Sequence, residues 1–278
     1  MIRTLAAALM AMAALAPAAH AKSASGAEAA TADRIDAALA GPQRSDANRA
    51  RDQYRHPKET LLFFGLRPEM TVVEITPGGG WYSEILGPVL AGKGRYVAAH
   101  NNPLGSPNAQ RQRASFVEKL KANPEIYGNV AVTSFGKGIE SNIAAPGSAD
   151  MVLTFRNVHN WLMADFAEDA FKAFYAALKP GGVLGVVEHR LPEDRPDTDE
   201  NRKSGYVKQS EVIRLAEAAG FKLVGSSEIN ANPKDNANHP KGVWTLPPTY
   251  AMGDTDRATY AAIGESDRMT LKFVKPGN

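Results

Sequence analysis

Thr71–Leu86 reads TVVEITPGGGWYSEIL. Five residues suited to a buried strand, TVVEI, run into three consecutive glycines, and a helix-like stretch follows. Glycine at the end of a strand permits turns that other residues resist, and it lets a ligand approach the main chain closely. In an open α/β sheet, ligands sit outside the carboxyl ends of the strands. The stretch therefore predicts a binding loop, although its glycines alone do not name the ligand.

Working outward, the same alternation recurs. After Thr71–Ile75, apolar runs at Arg95–His100, Asn129–Phe135, Ala149–Phe155 and Gly181–His189 read as strands. Most are nearly continuous, as expected for strands buried on both faces of a parallel sheet. Helical patterns fill Trp81–Leu90, Gln110–Ala122, Ala164–Leu178 and Gln209–Ala219, the last stopping at Gly220. Phe221–Ile229 and Met269–Pro276 read as two further strands with no crossover helix between them, hence an antiparallel pair. The expected fold is α/β, a doubly wound, mostly parallel seven-stranded sheet ending in that pair. Between those strands, residues 230–268 are polar and rich in Pro, Gly and Asn, but Trp244, Tyr250 and Tyr260 favour an ordered flap. Upstream, Ser45 or Asp46 caps an expected helix at Ala47–Tyr54, and a second is expected at Lys58–Phe64, ending at Gly65.

Composition narrows the class. The chain has 278 residues, 44% hydrophobic and 22% charged, which suits one domain with a sizeable core. With 32 basic and 30 acidic residues, the net charge of +2 makes no case for nucleic acid or an anionic membrane. The absence of cysteine excludes disulfides and thiol chemistry. Residues 1–21 carry Arg3, an apolar run and Ala19-His20-Ala21, the pattern of a secretory signal cleaved after Ala21. The run is too short for a membrane span, and Pro17 breaks it. Residues 22–44 then read as a linker that becomes helical near Ala32–Ala40, and residues 45–278 as the domain, in a periplasmic or secreted protein.

Two familiar loops are disfavoured. No Lys-Ser or Lys-Thr follows the glycines, as a phosphate loop requires, and Ser83 stands where a dinucleotide fingerprint has glycine. The second strand ends in His100-Asn101-Asn102 rather than in an acid.

From about Asp46 onward, the chain resembles the class I S-adenosylmethionine-dependent methyltransferases, and most of all an exported group of predicted methyltransferases within them. Glu74-Ile-Thr-Pro-Gly-Gly-Gly80 is similar to the family's first motif, with Thr76 in place of the first glycine. LKPGG (Leu178–Gly182) resembles the turn before the family's fifth strand, and the antiparallel ending matches the family's sheet. RDQYRHPKETLLFFGLRP and RNVHNW look typical of the exported group.

The resemblance implies S-adenosylmethionine as cofactor and a small-molecule acceptor. It assigns Glu74, Thr76, Gly78, Gly79 and Gly80 to the cofactor, Glu74 facing its methionyl amine. His100 or Asn101 takes the place of the acid that binds the ribose hydroxyls. Phe155–Trp161 is the densest group of functional residue types: Arg156 is suited to a carboxylate, and Asn157 to the methionyl or ribose part. His159 is the first candidate general base and His189, at the end of the fifth strand, the second, since imidazole titrates near neutrality. Trp161 and Tyr54 are candidate substrate contacts, although each reads equally as helix packing. The six histidines show no metal-ligand spacing, so no metal is expected. Two alternatives stay open: a non-catalytic binding module on the same fold, and a nucleotide-dependent oxidoreductase.

Overall fold

The computed structural model describes residues 16–138 and 143–277. The apolar run of the expected signal, up to residue 15, lies outside the described residues.

Nine strands are described: β1 (Thr71–Ile75), β2 (Arg95–Asn101), β3 (Ala131–Phe135), β4 (Ala149–Phe155), β5 (Leu178–Leu191), β6 (Val207–Lys208), β7 (Lys222–Ser227), β8 (Pro240–Val243) and β9 (Arg268–Val274). The helices before β1 are α1 (Ala16–Ala40), α2 (Asp46–Arg49), α3 (Asp52–Arg55) and α4 (Pro57–Phe64). Within the sheet region follow α5 (Ser83–Leu90), α6 (Pro107–Lys121), α7 (Pro124–Tyr127), α8 (Val158–Met163), α9 (Ala167–Ala177), α10 (Asp199–Lys203) and α11 (Gln209–Ala218). The flap carries α12 (Arg257–Ile263).

The sheet order is β3-β2-β1-β4-β5-β9-β7, with the short β6 paired to β5. Strands β1 to β5 are parallel to their neighbours, and β9 runs antiparallel to both β5 and β7. This is the expected architecture. The order reverses between β1 and β4, so a crevice opens at their carboxyl ends.

Burial on both faces explains the unbroken apolar runs. Val72, Ala98, Met151 and Leu153 pack into one core with Ile35, Leu61, Phe64, Ile85 and Leu86. The alternate residues Val73, Val97, Ala99 and Val152 pack into the other with Phe171, Phe174, Val212 and Leu215. Helices α1, α4, α5 and α6 thus cover one face, and α8, α9 and α11 the other.

Several boundaries moved. The expected Ala47–Tyr54 helix is two short ones, α2 and α3, with Ser45 capping the first through Asn48 N at 3.2 Å. The helix expected near Ala32–Ala40 is present but longer, as α1 takes in the expected linker from residue 22 onward and joins the core through Ile35 and Ala38. Arg34 also caps α5 by donating to the carbonyls of Pro88, Val89 and Ala91. An amphipathic contact of this kind is hard to see in an alanine-rich stretch. The helix expected at Ala164–Leu178 starts later, as α9 at Ala167, just past Asp165, whose φ is 49°, and a separate short helix, α8, precedes it.

Gly185 shows how tightly α4 lies on the sheet. A Cβ there would come within 2.7 Å of Leu153 Cδ2 and 2.8 Å of Phe64 Cδ2. Gly185→Ala should therefore cost about 1–3 kcal/mol by overpacking. Thermal denaturation should show the midpoint falling by roughly 2–4 °C per kcal/mol for a chain of this size.

Candidate functional site

The carboxyl edge of β1 and β4 holds two adjoining cavities. The first, about 310 Å³, is lined by Glu74, Ile75, Thr76, Pro77, Gly78 and Gly79 from β1 and its loop. Asn101 and Gln112 close one side, Phe155, Arg156 and Asn157 another, and Asn48, Arg51, Arg55, Trp81 and Tyr82 form the cover. The second, about 300 Å³, is lined by Arg51, Arg55, Arg156, Arg268, His159, His189, Glu265, Ser266 and flap residues including Trp244, Pro247 and Pro248. Arg51, Arg55 and Arg156 belong to both, so the cavities share a guanidinium wall.

The loop of the first cavity is strained where the chain leaves the sheet. Thr76 has φ 49° and Arg156, just past β4, has φ 61°. Left-handed backbone is costly for residues with a Cβ, and such outliers gather at binding sites. Thr76 occupies the position of the family motif's first glycine, and its conformation is a glycine's. Its hydroxyl is buried without a partner among the described residues. Gly78 has φ 59°, and a Cβ on Gly78 or Gly79 would meet no protein atom within 4 Å. Gly80, with φ 83°, closes the turn: its N–H donates to Pro77 O at 3.0 Å, and a Cβ there would touch Phe116 at 3.0 Å.

Glu74 is 3% exposed. Its Oε2 accepts from Ser83 Oγ at 3.1 Å and from the Tyr96 hydroxyl. Burial pushes its carboxyl up to about 7, against the hydrogen bonds from Tyr96 and Ser83 and the nearby Arg156. Ser83, a departure from the dinucleotide pattern, is thus the residue that holds Glu74. Asn157 ties the edge together, its Nδ2 donating to Ile75 O at 3.1 Å and to Thr154 Oγ1 at 3.2 Å.

Other expected residues sit elsewhere. His100 does not line the cavity; it is fully buried beneath the loop, with Nε2 3.2 Å from Gly78 O. Burial lowers its pKa, so it braces the glycine turn as a neutral ring. Asn101, the other candidate, does line the cavity, and its Nδ2 donates to Gln112 Oε1 at 3.2 Å. Trp161 is a core residue, edge-on to Phe135 and Phe174 at 5.4 and 5.3 Å. Tyr54 packs where a Cβ on Gly264 would meet its ring at 2.7 Å and lines neither cavity. Its neighbours Arg51 and Arg55 line both.

In the second cavity, Glu188 is fully buried and accepts from Val158 N at 2.6 Å, His159 N at 3.3 Å and His189 N at 2.8 Å. It therefore acts as an acceptor, so His159 Nδ1, 3.0 Å from its Oε1, carries the proton. With Nδ1 so occupied, Nε2 of the His159 ring has no partner among the described residues, and the ring lines the cavity, where its neutral form would present a lone pair. His189 Nδ1 lies 2.5 Å from Ser266 Oγ. Burial, then the neighbouring His159 and arginines, drive its pKa well below the ordinary value, so it is neutral. Against the sequence expectation, the fold does gather a candidate metal trio, His159, Glu188 and His189, with ligand atoms within 4.8 Å. Glu188 is already committed to N–H donors, and four guanidiniums line the adjoining space, an arrangement that disfavours a cation.

Comparison with solved structures places the chain in the class I methyltransferase fold. A SAM-dependent methyltransferase from Aquifex aeolicus is 16% identical, with a TM-score of 0.54, over 88% of this chain and 98% of that one. Geranyl diphosphate C-methyltransferase from Streptomyces coelicolor A3(2) is 13% identical, with a TM-score of 0.59, over 86% and 87%. The [4+2]-cyclase SpnF is 15% identical, with a TM-score of 0.56, over 81% of each chain. At such identities the likeness is one of fold. No protein-family model and no curated protein matches the sequence.

Because the folded pKa of Glu74 is raised, its contribution to stability is present below the unfolded pKa and is lost as pH rises through about 7. Glu74→Gln removes that loss. Denaturation followed at pH 5 and pH 8 should show the unliganded variant gaining about 1–3 kcal/mol on the wild type at the higher pH only.

Proposed function

We propose that the chain is an S-adenosylmethionine-dependent methyltransferase acting on a small molecule. One observation carries this: a glycine-loop cavity and a histidine-bearing cavity meet at the carboxyl edge of a methyltransferase-fold sheet. In this reading the first cavity takes the cofactor and the second the acceptor.

The first cavity fits such a cofactor. Gly78 and Gly79 leave open space beside the main chain, and the buried Thr76 hydroxyl awaits a hydrogen bond. Glu74 offers a carboxylate to a cationic amine, Asn101 offers an amide to hydroxyls, and the stacked rings of Tyr82 and Phe155, 3.5 Å apart, supply an apolar wall. When bound, S-adenosylmethionine supplies an electrophilic methyl group on a sulfonium. The chain's own work is to orient the acceptor behind that methyl group and to take its proton. His159 Nε2 is the base, fixed by Glu188 through Nδ1. His189, neutral and held by Ser266, lines the same chamber and is the second candidate. The leader-like residues 1–21 support export, and the enzyme would then act in the periplasm or outside the cell.

Isothermal titration with S-adenosylmethionine, S-adenosylhomocysteine and NAD tests the reading. Binding of the first two and not NAD is expected; binding of NAD alone would replace it with an oxidoreductase, and binding of none with a non-catalytic module. Gly79→Ala should keep its melting temperature but lose at least tenfold in affinity for S-adenosylhomocysteine, since the added methyl meets no protein atom. With an acceptor in hand, His159→Ala should lower turnover by about 10²–10⁴-fold while cofactor affinity holds.

A further inference from the structure

The second cavity has an unbalanced charge. Its lining holds Arg51, Arg55, Arg156 and Arg268 against a single carboxylate, Glu265. Glu265 accepts from Arg51 Nε at 2.5 Å, from Arg55 Nε at 3.2 Å and from Arg268 Nη2. Behind the lining, Glu188 is committed to His159 and backbone N–H groups, and Glu74 to Ser83 and Tyr96.

Several donors remain unused. Arg55 is 3% exposed, yet its Nη1 and Nη2 have no partner among the described residues. Arg268 is also 3% exposed, with Nε unpartnered. No side-chain hydrogen bond of Arg156 is found among the described residues, and it stands on the wall between the cavities. Burial and mutual repulsion push its pKa down to about 10. Buried guanidinium donors without acceptors are costly, and a fork of N–H groups matches a carboxylate or phosphate. Opposite them, Trp244, Pro247 and Pro248 present an apolar surface.

Resting on the reading of this cavity as the acceptor site, we infer that the acceptor is a small organic anion. Its carboxylate or phosphate engages the cavity-lining guanidiniums, with Arg156, which has no side-chain hydrogen bond of its own among the described residues, as the principal fork. Its apolar body lies against Trp244 and the Pro247-Pro248 turn, and its methyl-accepting group faces His159.

The test is calorimetric titration of the full chain with benzoate, phenyl phosphate and the neutral benzamide, at low salt, both unloaded and saturated with S-adenosylhomocysteine. At least one anion should bind tenfold or more tightly than benzamide, and the stronger of the two identifies the anionic group. Arg156→Gln, which breaks no hydrogen bond found for that side chain, should weaken the anion at least tenfold and S-adenosylhomocysteine less than threefold. Arg156→Lys, which keeps the charge without the fork, should fall between.

Benzamide binding as tightly as both anions, or no anion binding in either state, overturns the inference. So does an Arg156→Gln variant that loses S-adenosylhomocysteine and keeps the anion, since Arg156 would then serve the cofactor. If S-adenosylhomocysteine fails to bind while the anions bind the unloaded protein, the anion site stands and the methyltransferase reading falls.

Discussion

Glu265 joins two segments that are far apart in the sequence. Arg51 and Arg55 reach it from the region before the sheet, and Arg268 from the start of β9. The carboxylate is 2% exposed, and the three arginines pull its pKa far below the ordinary range despite burial. Removing one partner of a buried ion pair costs about 3–5 kcal/mol, because the other charges stay buried and unpaired. The contact therefore fixes the cover of the first cavity to the floor of the second. Helix α3 is only four residues long, so its position depends on such contacts, this one together with the pairing of Asp52 to Arg44. Arg55 is braced from another side as well, its guanidinium 4.6 Å from the centre of the Trp81 ring.

Much of the fold was legible in the sequence for one reason: burial on both faces writes strands as unbroken apolar runs. Thr71–Ile75 and Ala149–Phe155 have the expected ends. The antiparallel ending was readable because no crossover helix separates the last two strands of the sheet, the short α12 lying within the flap. The amino-terminal helix was legible only near Ala32–Ala40, and its packing was not, because that contact depends on a few residues, Arg34, Ile35 and Ala38 among them, in an alanine-rich stretch. The site was legible in part. The glycine loop, Glu74, Asn101, Arg156, Asn157, His159 and His189 converge as expected. Trp161 and Tyr54 do not, because an aromatic residue near a site motif looks the same in sequence whether it faces a ligand or the core.

Arginines were the larger omission. Arg51 and Arg55 lie beside Tyr54, and Arg268 opens β9, and none has a local pattern that separates it from a solvated charge. The signal was present only as a set: arginines from three regions, too many for the acids near them. The role of Glu188 was hidden too, since an acid at the end of an apolar strand does not reveal that it caps α8 and orients His159. Departures from the family's loop motif, by contrast, have local explanations. Thr76 keeps the backbone shape of the glycine it replaces, and His100 supports the turn from below.

The two chambers are written in the chain in different ways. The glycine-loop cavity is assembled mainly from strand ends and from the segment ahead of β1. The outer wall of the arginine cavity comes from one contiguous stretch, Val243 to Thr249, within the flap between β7 and β9. Exchanging that short stretch would redraw what the second chamber admits and leave Glu74, the glycines and Asn157 in place. The wall of the second chamber can thus change its shape and charge without touching the sheet edge that holds the first.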